Sequence, residues 1–153
     1  QAVAAAFLPM LTELSFDRIA AIPYAALPIA TAVSLAGGWP LIYARREVKE
    51  HGTQSMVEGV YQIGDMALVM DDLITTGDSK FETIQKLRAV GLRVRDIAVL
   101  IDREQGATAV LQQAGYRLRS VITISKLLEA WRKSGAIDEQ QYGNILGYLS
   151  PDE

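Results

Sequence analysis

Met66-Ala67-Leu68-Val69-Met70-Asp71-Asp72-Leu73-Ile74-Thr75-Thr76-Gly77-Asp78-Ser79-Lys80 is the stretch around which the chain is organised. Met66 to Met70 is an apolar run long enough for a buried strand and too short for a typical helix. Asp71 and Asp72 follow as adjacent carboxylates at its C-terminal end. Thr75 to Ser79 is a small, hydroxyl-rich turn leading into Phe81 to Val90, which has helical spacing. Open α/β sheets bind ligands at such strand-to-helix turns. The helix N-terminus offers unpaired N–H groups and a positive dipole end, which suit a phosphate. Gly77 lets the backbone come close, and Thr75, Thr76 and Ser79 add hydroxyls. The carboxylates can accept hydrogen bonds from sugar hydroxyls or hold the water shell of a metal. Together these parts point to a sugar phosphate bound with Mg²⁺. Each half also has a plainer explanation. Asp71-Asp72 is compatible with a Walker-B-like element or a solvated strand end, and Asp78 or Ser79 with a simple helix cap. The chain has no G-x-x-x-x-G-K-[ST], which disfavours a P-loop nucleotide hydrolase.

Working outward, four further apolar segments alternate with helical patterns. Strands are expected near 18–22, 40–44, 94–101 and 116–123, besides the central one at 66–70. That alternation predicts an α/β fold: an open, mostly parallel five-stranded sheet with helices on both faces. Helices are expected at Ala2 to Leu14, with Pro9 kinking it or delaying its start, and from about Leu27 to Leu35, ended by Gly37-Gly38. Further helices follow over Ser79 to Val90, Ala107 to Ala114, Lys126 to Lys133 (capped by Ser125) and Asp138 to Leu149. The candidate ligand groups at 23–28, 71–79 and 102–106 all follow strands, so they converge at the carboxyl ends of the sheet. Arg45 to Glu58 breaks the pattern. It holds Arg45, Arg46, Lys49 and His51 with little apolar periodicity, and such long segments in compact domains are often functional. A basic cluster suits a polyphosphate leaving group, while a solvated charged excursion is the plainer alternative. Arg103 offers a planar fork to a planar anion, or else pairs with its neighbours Asp102 and Glu104.

The central segment resembles the phosphoribosyl-pyrophosphate (PRPP) loop of the type I phosphoribosyltransferases. With Arg45-Arg46-Glu47-Val48-Lys49-Glu50-His51-Gly52 and Asp102-Arg103-Glu104-Gln105-Gly106 in the same order, it resembles the orotate phosphoribosyltransferases in particular. The likeness runs from about Phe16 to Ser125. Arg45, Lys49, His51 and Gly52 match the family pattern, and Arg46 stands where lysine is common.

The resemblance implies a Rossmann-like phosphoribosyltransferase fold and an activity. Orotate and PRPP would give orotidine 5′-monophosphate and pyrophosphate, in pyrimidine (UMP) biosynthesis. It implies that Thr75, Thr76, Gly77, Asp78 and Ser79 hold the 5′-phosphate, and that Asp71 and Asp72 bind the ribose hydroxyls and, through water, Mg²⁺. Tyr24, Ala25 and Ala26 would form the pyrophosphate loop. Arg45, Arg46, Lys49 and His51 would neutralise pyrophosphate, with Lys49 and His51 reaching into the neighbouring subunit of a homodimer from a mobile catalytic loop over 45–59. Thr75 and Arg103 would orient orotate. Catalytic roles thus fall on Lys49, His51, Asp71 and Asp72. A fusion to, or association with, orotidine monophosphate decarboxylase also follows from the resemblance. Orotate enzymes carry a segment upstream of the region matching residues 1–20 that supplies a lysine and aromatic contacts to the base. Residues 1–14 contain no lysine and a single aromatic, Phe7, so the chain is expected to lack that segment and to hold orotate loosely. A non-catalytic PRPP-binding regulator, or a phosphoribosyltransferase for another base, are the alternatives.

The bulk properties agree with one domain over 1–153, its last helices lying within 125–153. Half of the 153 residues are hydrophobic, enough for a sizeable core, and the net charge of −3 disfavours a nucleic-acid partner. There is no cysteine, which fits a reducing, cytoplasmic setting. No apolar run approaches the ~20 residues needed to span a bilayer, and the N-terminus lacks the basic region of a signal peptide.

Overall fold

The computed structural model describes residues 1–46 and 56–149. Strands and helices alternate: α1 (Ala2–Thr12), β1 (Arg18–Ala21), α2 (Ala26–Gly37), β2 (Leu41–Ala44), β3 (Val57–Glu58), β4 (Met66–Ile74), α3 (Asp78–Ala89), β5 (Arg93–Asp102), α4 (Ala107–Gln113), β6 (Arg117–Thr123), α5 (Ile124–Ser134) and α6 (Glu139–Leu149). The sheet order is β3-β2-β1-β4-β5-β6, parallel throughout except for the β2–β3 pair.

The period-2 alternation of each strand divides the core between two faces. Ile19, Ala21, Leu68, Met70 and Ala98 point to one side, where they meet Phe7 and Leu11 of α1 and Ala30 and Val33 of α2. Ala20, Ile42, Ala67, Val69, Ile97 and Val99 point to the other, against Ile84 and Leu87 of α3 and Leu111 of α4. Parallel strands buried on both faces read as continuous apolar runs, which is the character of Ala67 to Met70. Helices therefore cover both faces, as the sequence pattern predicts.

The sheet gains a sixth strand beyond the five expected. Val57–Glu58 lies in the segment expected to be loop over 45–59, yet it pairs antiparallel with Tyr43 and Ala44. The Arg45 amide extends the pairing by donating to the Met56 carbonyl at 2.8 Å. Val57 is buried, and two residues are too few to leave a periodic signal in the sequence. Gly59 follows at φ +105°, where an added Cβ would meet the Leu41 carbonyl at 2.9 Å. Residues 47–55 lie outside the described residues, and Lys49 and His51 with them.

Other boundaries also move for local reasons. Helix α1 starts at Ala2 and runs through Pro9, so the proline neither delays nor ends it. Strand β4 continues past Met70 to Ile74 because β5 pairs with it as far as Ile74↔Asp102. Asp71 and Asp72 thus lie within the strand rather than beyond its end. Thr123, not Ser125, caps α5, its Oγ1 accepting from the Lys126 amide. Asp138 and Gln141 exchange reciprocal backbone–side chain hydrogen bonds at the start of α6 (2.7 and 2.9 Å), a capping box. Among the described residues no helix is long and apolar enough to cross a membrane.

Phe7 is fully buried between α1, α2 and the sheet. Phe7→Ala is expected to cost about 3–5 kcal/mol of stability, read as a lower urea midpoint at unchanged m-value. A shift within error would mean that α1 does not pack on the sheet as described.

Candidate active site

Strand order reverses between β1 and β4, and crevices at such switch points bind ligands beyond the strand carboxyl ends. Two backbone contacts fix the loops there. The Ile22 amide donates to the Met70 carbonyl at 3.0 Å, setting the β1–α2 turn beside Asp71. The Arg103 amide donates to the Ile74 carbonyl at 3.0 Å, setting the β5–α4 loop beside Thr75. The groups at 23–28, 71–79 and 102–106 therefore meet at one edge of the sheet.

The turn from β4 into α3 is tight and rich in hydroxyls. Gly77 takes φ +102° at the N-cap of α3, a conformation that disfavours any residue with a Cβ. The Lys80 and Phe81 amides donate to the Gly77 carbonyl (3.0 and 3.4 Å), while those of Asp78 and Ser79 precede the first such bond. Thr75 and Thr76 precede them and Ser79 lies in the first turn. Asp78 does not serve as a helix cap. Its carboxylate accepts from Thr76 Oγ1 at 2.8 Å, so only its backbone N–H suits a phosphate.

The two central carboxylates differ sharply. Asp71 is buried, and its Oδ2 lies 2.7 Å from Lys80 Nζ, itself 4% exposed. Asp71 Oδ1 accepts from the Asp72 amide at 2.8 Å. Lys80 Nζ also donates to the Leu73 carbonyl (2.8 Å) and Ser79 Oγ (3.2 Å), so its three protons all have acceptors. Burial pushes the Asp71 carboxyl above the usual carboxylate range, and the Lys80 ammonium opposes that rise. Asp72 is more open. Its Oδ1 accepts from the Leu73 amide at 2.9 Å, and its carboxyl beside Asp71 adds to the rise of the Asp71 carboxyl. Sequence reasoning missed Lys80 altogether. The signal was there: Lys80 shares the buried stripe of α3 with Ile84 and Leu87, at i, i+4 and i+7.

On the β1–β2 side a small cleft of about 80 Å³ is lined by Pro23, Arg45, Arg46, Ser79, Glu82 and Lys86, among others. Arg46 is exposed, with its guanidinium 5.8 Å from the centre of the Tyr24 ring. Arg45, by contrast, pairs with Glu58 of β3. The peptide between Pro23 and Tyr24 is cis. Ala26 is buried in the first turn of α2 and Ala25 is its N-cap, so any anion contact there falls to backbone N–H groups.

No family model matches the chain. Among solved structures, it is 35% identical to orotate phosphoribosyltransferase from Aeropyrum pernix, with a TM-score of 0.75, covering 90% of this chain and 76% of that one. The chain belongs to the orotate phosphoribosyltransferase family. It is also 45% identical to the structure of Leishmania donovani UMP synthase, with a TM-score of 0.89, covering 97% of this chain and 32% of that one. The bifunctional enzyme PyrF/PyrE of Nostoc is 43% identical over 130 residues, 85% of this chain and 27% of that protein. The chain thus spans about a quarter of the length of that curated relative.

Within this family member, the structure removes the alternative reading of Arg103 as half of a local salt bridge. Asp102 is buried, its Oδ1 accepting from the Glu104 amide (2.8 Å) and its Oδ2 from Thr108 Oγ1 (3.3 Å). Glu104 bonds to Ser125 at the start of α5. Neither flanking carboxylate pairs with Arg103, which is half-buried beside Thr75. A second cleft, of about 410 Å³, opens between Thr76, Glu104, Gln105, Gly106 and Leu149. The last turn of α6 thus borders the candidate site, whereas the sequence pattern suggests packing or a partner contact for the two C-terminal helices.

Removing one partner of a buried ion pair strands the other charge. Lys80→Met is therefore expected to destabilise the fold by about 3–5 kcal/mol at neutral pH, measured by urea denaturation. Adding Asp71→Asn should recover a good part of the loss. A double variant no better than Lys80→Met alone would argue against the pairing.

Proposed function

We propose that the chain carries the orotate phosphoribosyltransferase site, joining orotate to PRPP with release of pyrophosphate in pyrimidine biosynthesis. The observation that carries this reading is the convergence of the Thr75–Ser79 cradle, the open carboxylate of Asp72 and an Arg103 with no ion pair among the described residues. The cradle receives the 5′-phosphate on N–H groups at the start of α3. Asp72 accepts hydrogen bonds from the ribose hydroxyls. Asp71 holds the strand end in place through Lys80 and contributes less to the sugar directly. Arg103 presents two parallel N–H donors to an orotate carboxylate. Breaking the bond to C1′ leaves positive charge on the ribose and negative charge on pyrophosphate. Arg46, together with Lys49 and His51 of the loop, neutralises the latter. Arg45 joins them on release from Glu58.

Mg²⁺ fits this arrangement in one way. Among the described residues no cluster of three metal-ligating side chains offers the ion a protein cage. Mg²⁺ keeps several waters and favours one or two carboxylates plus substrate oxygens. Asp72 suits that role through water, and the ion would supply charge neutralisation at the pyrophosphate. We further propose a homodimer that shares loop 45–59. Val60 and Ile63, directly after it, are 81% and 86% exposed and apolar, as a partner contact requires. Fusion to, or association with, orotidine monophosphate decarboxylase is supported by the likeness to bifunctional relatives. A cytoplasmic location completes the reading.

The decisive assay follows orotate consumption with PRPP and Mg²⁺, with uracil and hypoxanthine as competing bases. Orotate is expected to be the preferred acceptor. Preference for another base would move the chain to a different specificity, and PRPP binding without transfer would favour the regulator. Asp72→Asn is expected to weaken PRPP binding about tenfold or more, the scale of a lost charged hydrogen bond, by titration calorimetry. Asp71→Asn should reduce thermal stability more than affinity. The opposite ranking would return the sugar contact to Asp71.

A further inference from the structure

We propose that Glu104 is a positioning residue for orotate, keeping Arg103 available by docking its own carboxylate on the N-terminus of α5. The inference rests on the orotate reading given above. Glu104 adopts φ 58°, alone among the described non-glycine residues in having a positive φ. This left-handed region crowds Cβ against the backbone, so a side chain there needs holding interactions. They are present. Ser125 donates to Glu104 Oε2 from its amide at 3.0 Å and again from its hydroxyl. The Ser125 hydroxyl, followed by its amide and Thr123, holds the Glu104 carboxyl below the usual range, with Lys126 adding attraction. An anion at a helix N-terminus also gains from the helix dipole.

The consequence falls on Arg103. It sits between two acids in the chain, either of which would compete with an anionic base for its guanidinium. Asp102 is held by the Glu104 amide and Thr108. Glu104 is drawn 21 residues along the chain to Ser125. The twist at Glu104 sends its carboxylate toward α5 while the Arg103 amide stays anchored to the Ile74 carbonyl. The start of the C-terminal helices thereby acts on base binding. Releasing Glu104 both loosens the loop and supplies a rival carboxylate beside Arg103.

Steady-state formation of orotidine monophosphate, with orotate and PRPP varied separately, tests this. Ser125→Asp sets a second carboxylate against Glu104 while still suiting a helix N-terminus. It is expected to raise the orotate KM about tenfold and leave the PRPP KM within about twofold. Ser125→Ala keeps the amide donor and should shift the orotate KM in the same direction by less. Adding Glu104→Gly to Ser125→Asp removes the displaced carboxylate, suits the positive φ and should bring the orotate KM back down about threefold or more. Glu104→Gln in the unaltered background retains an acceptor for the Ser125 amide and should lie nearer to the parent than Ser125→Asp does. Equal rises in both KM values, an unmoved orotate KM, or a double variant worse than Ser125→Asp would each overturn the positioning role. A parent chain that forms no orotidine monophosphate would instead overturn the orotate reading, and this role with it.

Discussion

Everything at the candidate site depends on the ladder of backbone hydrogen bonds that holds β4 between β1 and β5. Parallel pairing fixes where each strand ends relative to its neighbours. Ala21 is level with Met70, and Ile74 with Asp102. The three loops therefore start at matched heights. A shift of one residue would turn Leu68 and Met70 from the α1–α2 side to the α3–α4 side and rotate Asp71 and Asp72 with them. Buried faces on both sides of the sheet forbid that shift, so the core sets the site geometry.

Within that frame the site sorts its charges by burial. Lys80 and Asp71 are desolvated together, and their pairing offsets a cost that neither could bear alone. The result is a rigid strand end whose hydrogen-bonding capacity is largely used inside the protein. Asp72, one residue on, is less buried, and its carboxyl lies within hydrogen-bond reach of Asp71. Two adjacent carboxylates thus divide into a buried, paired group and a more open one, because only Asp71 meets the Lys80 ammonium. The same sorting recurs at Asp102-Arg103-Glu104. Both acids are satisfied by backbone or hydroxyl donors, which leaves the guanidinium between them unpaired among the described residues.

The C-terminal helices belong to this picture more closely than packing alone would suggest. Helix α5 receives Glu104 on its first turn, and Leu149 of α6 reaches the cleft beside Thr76. Helix α6 has no fully buried residue, and Arg132 over the Tyr142 ring at 4.7 Å is one of its ties to α5.

The sequence by itself determined the alternation of the five parallel strands with their helices, the two-sided core and the central strand–turn–helix, because strand and helix periodicity are local properties of the chain. It also made the three ligand loops legible, since acidic, hydroxyl and basic residues cluster at the ends of apolar runs. Family likeness added roles for those residues, and the relatives bear out the family. Only the tertiary structure decided which of the legible residues are free to act. Asp71 and Asp72 are indistinguishable as neighbours in sequence, and their difference comes from Lys80 on a separate element. Arg45 looked equivalent to Arg46 until Glu58 returned as an edge strand to pair with it. Ser125 read as a cap for its own helix, yet its donors serve Glu104. In each case a charge or hydrogen bond is satisfied by a group distant in the chain. Such pairings depend on where the folded sheet brings elements together, and local periodicity carries no record of them.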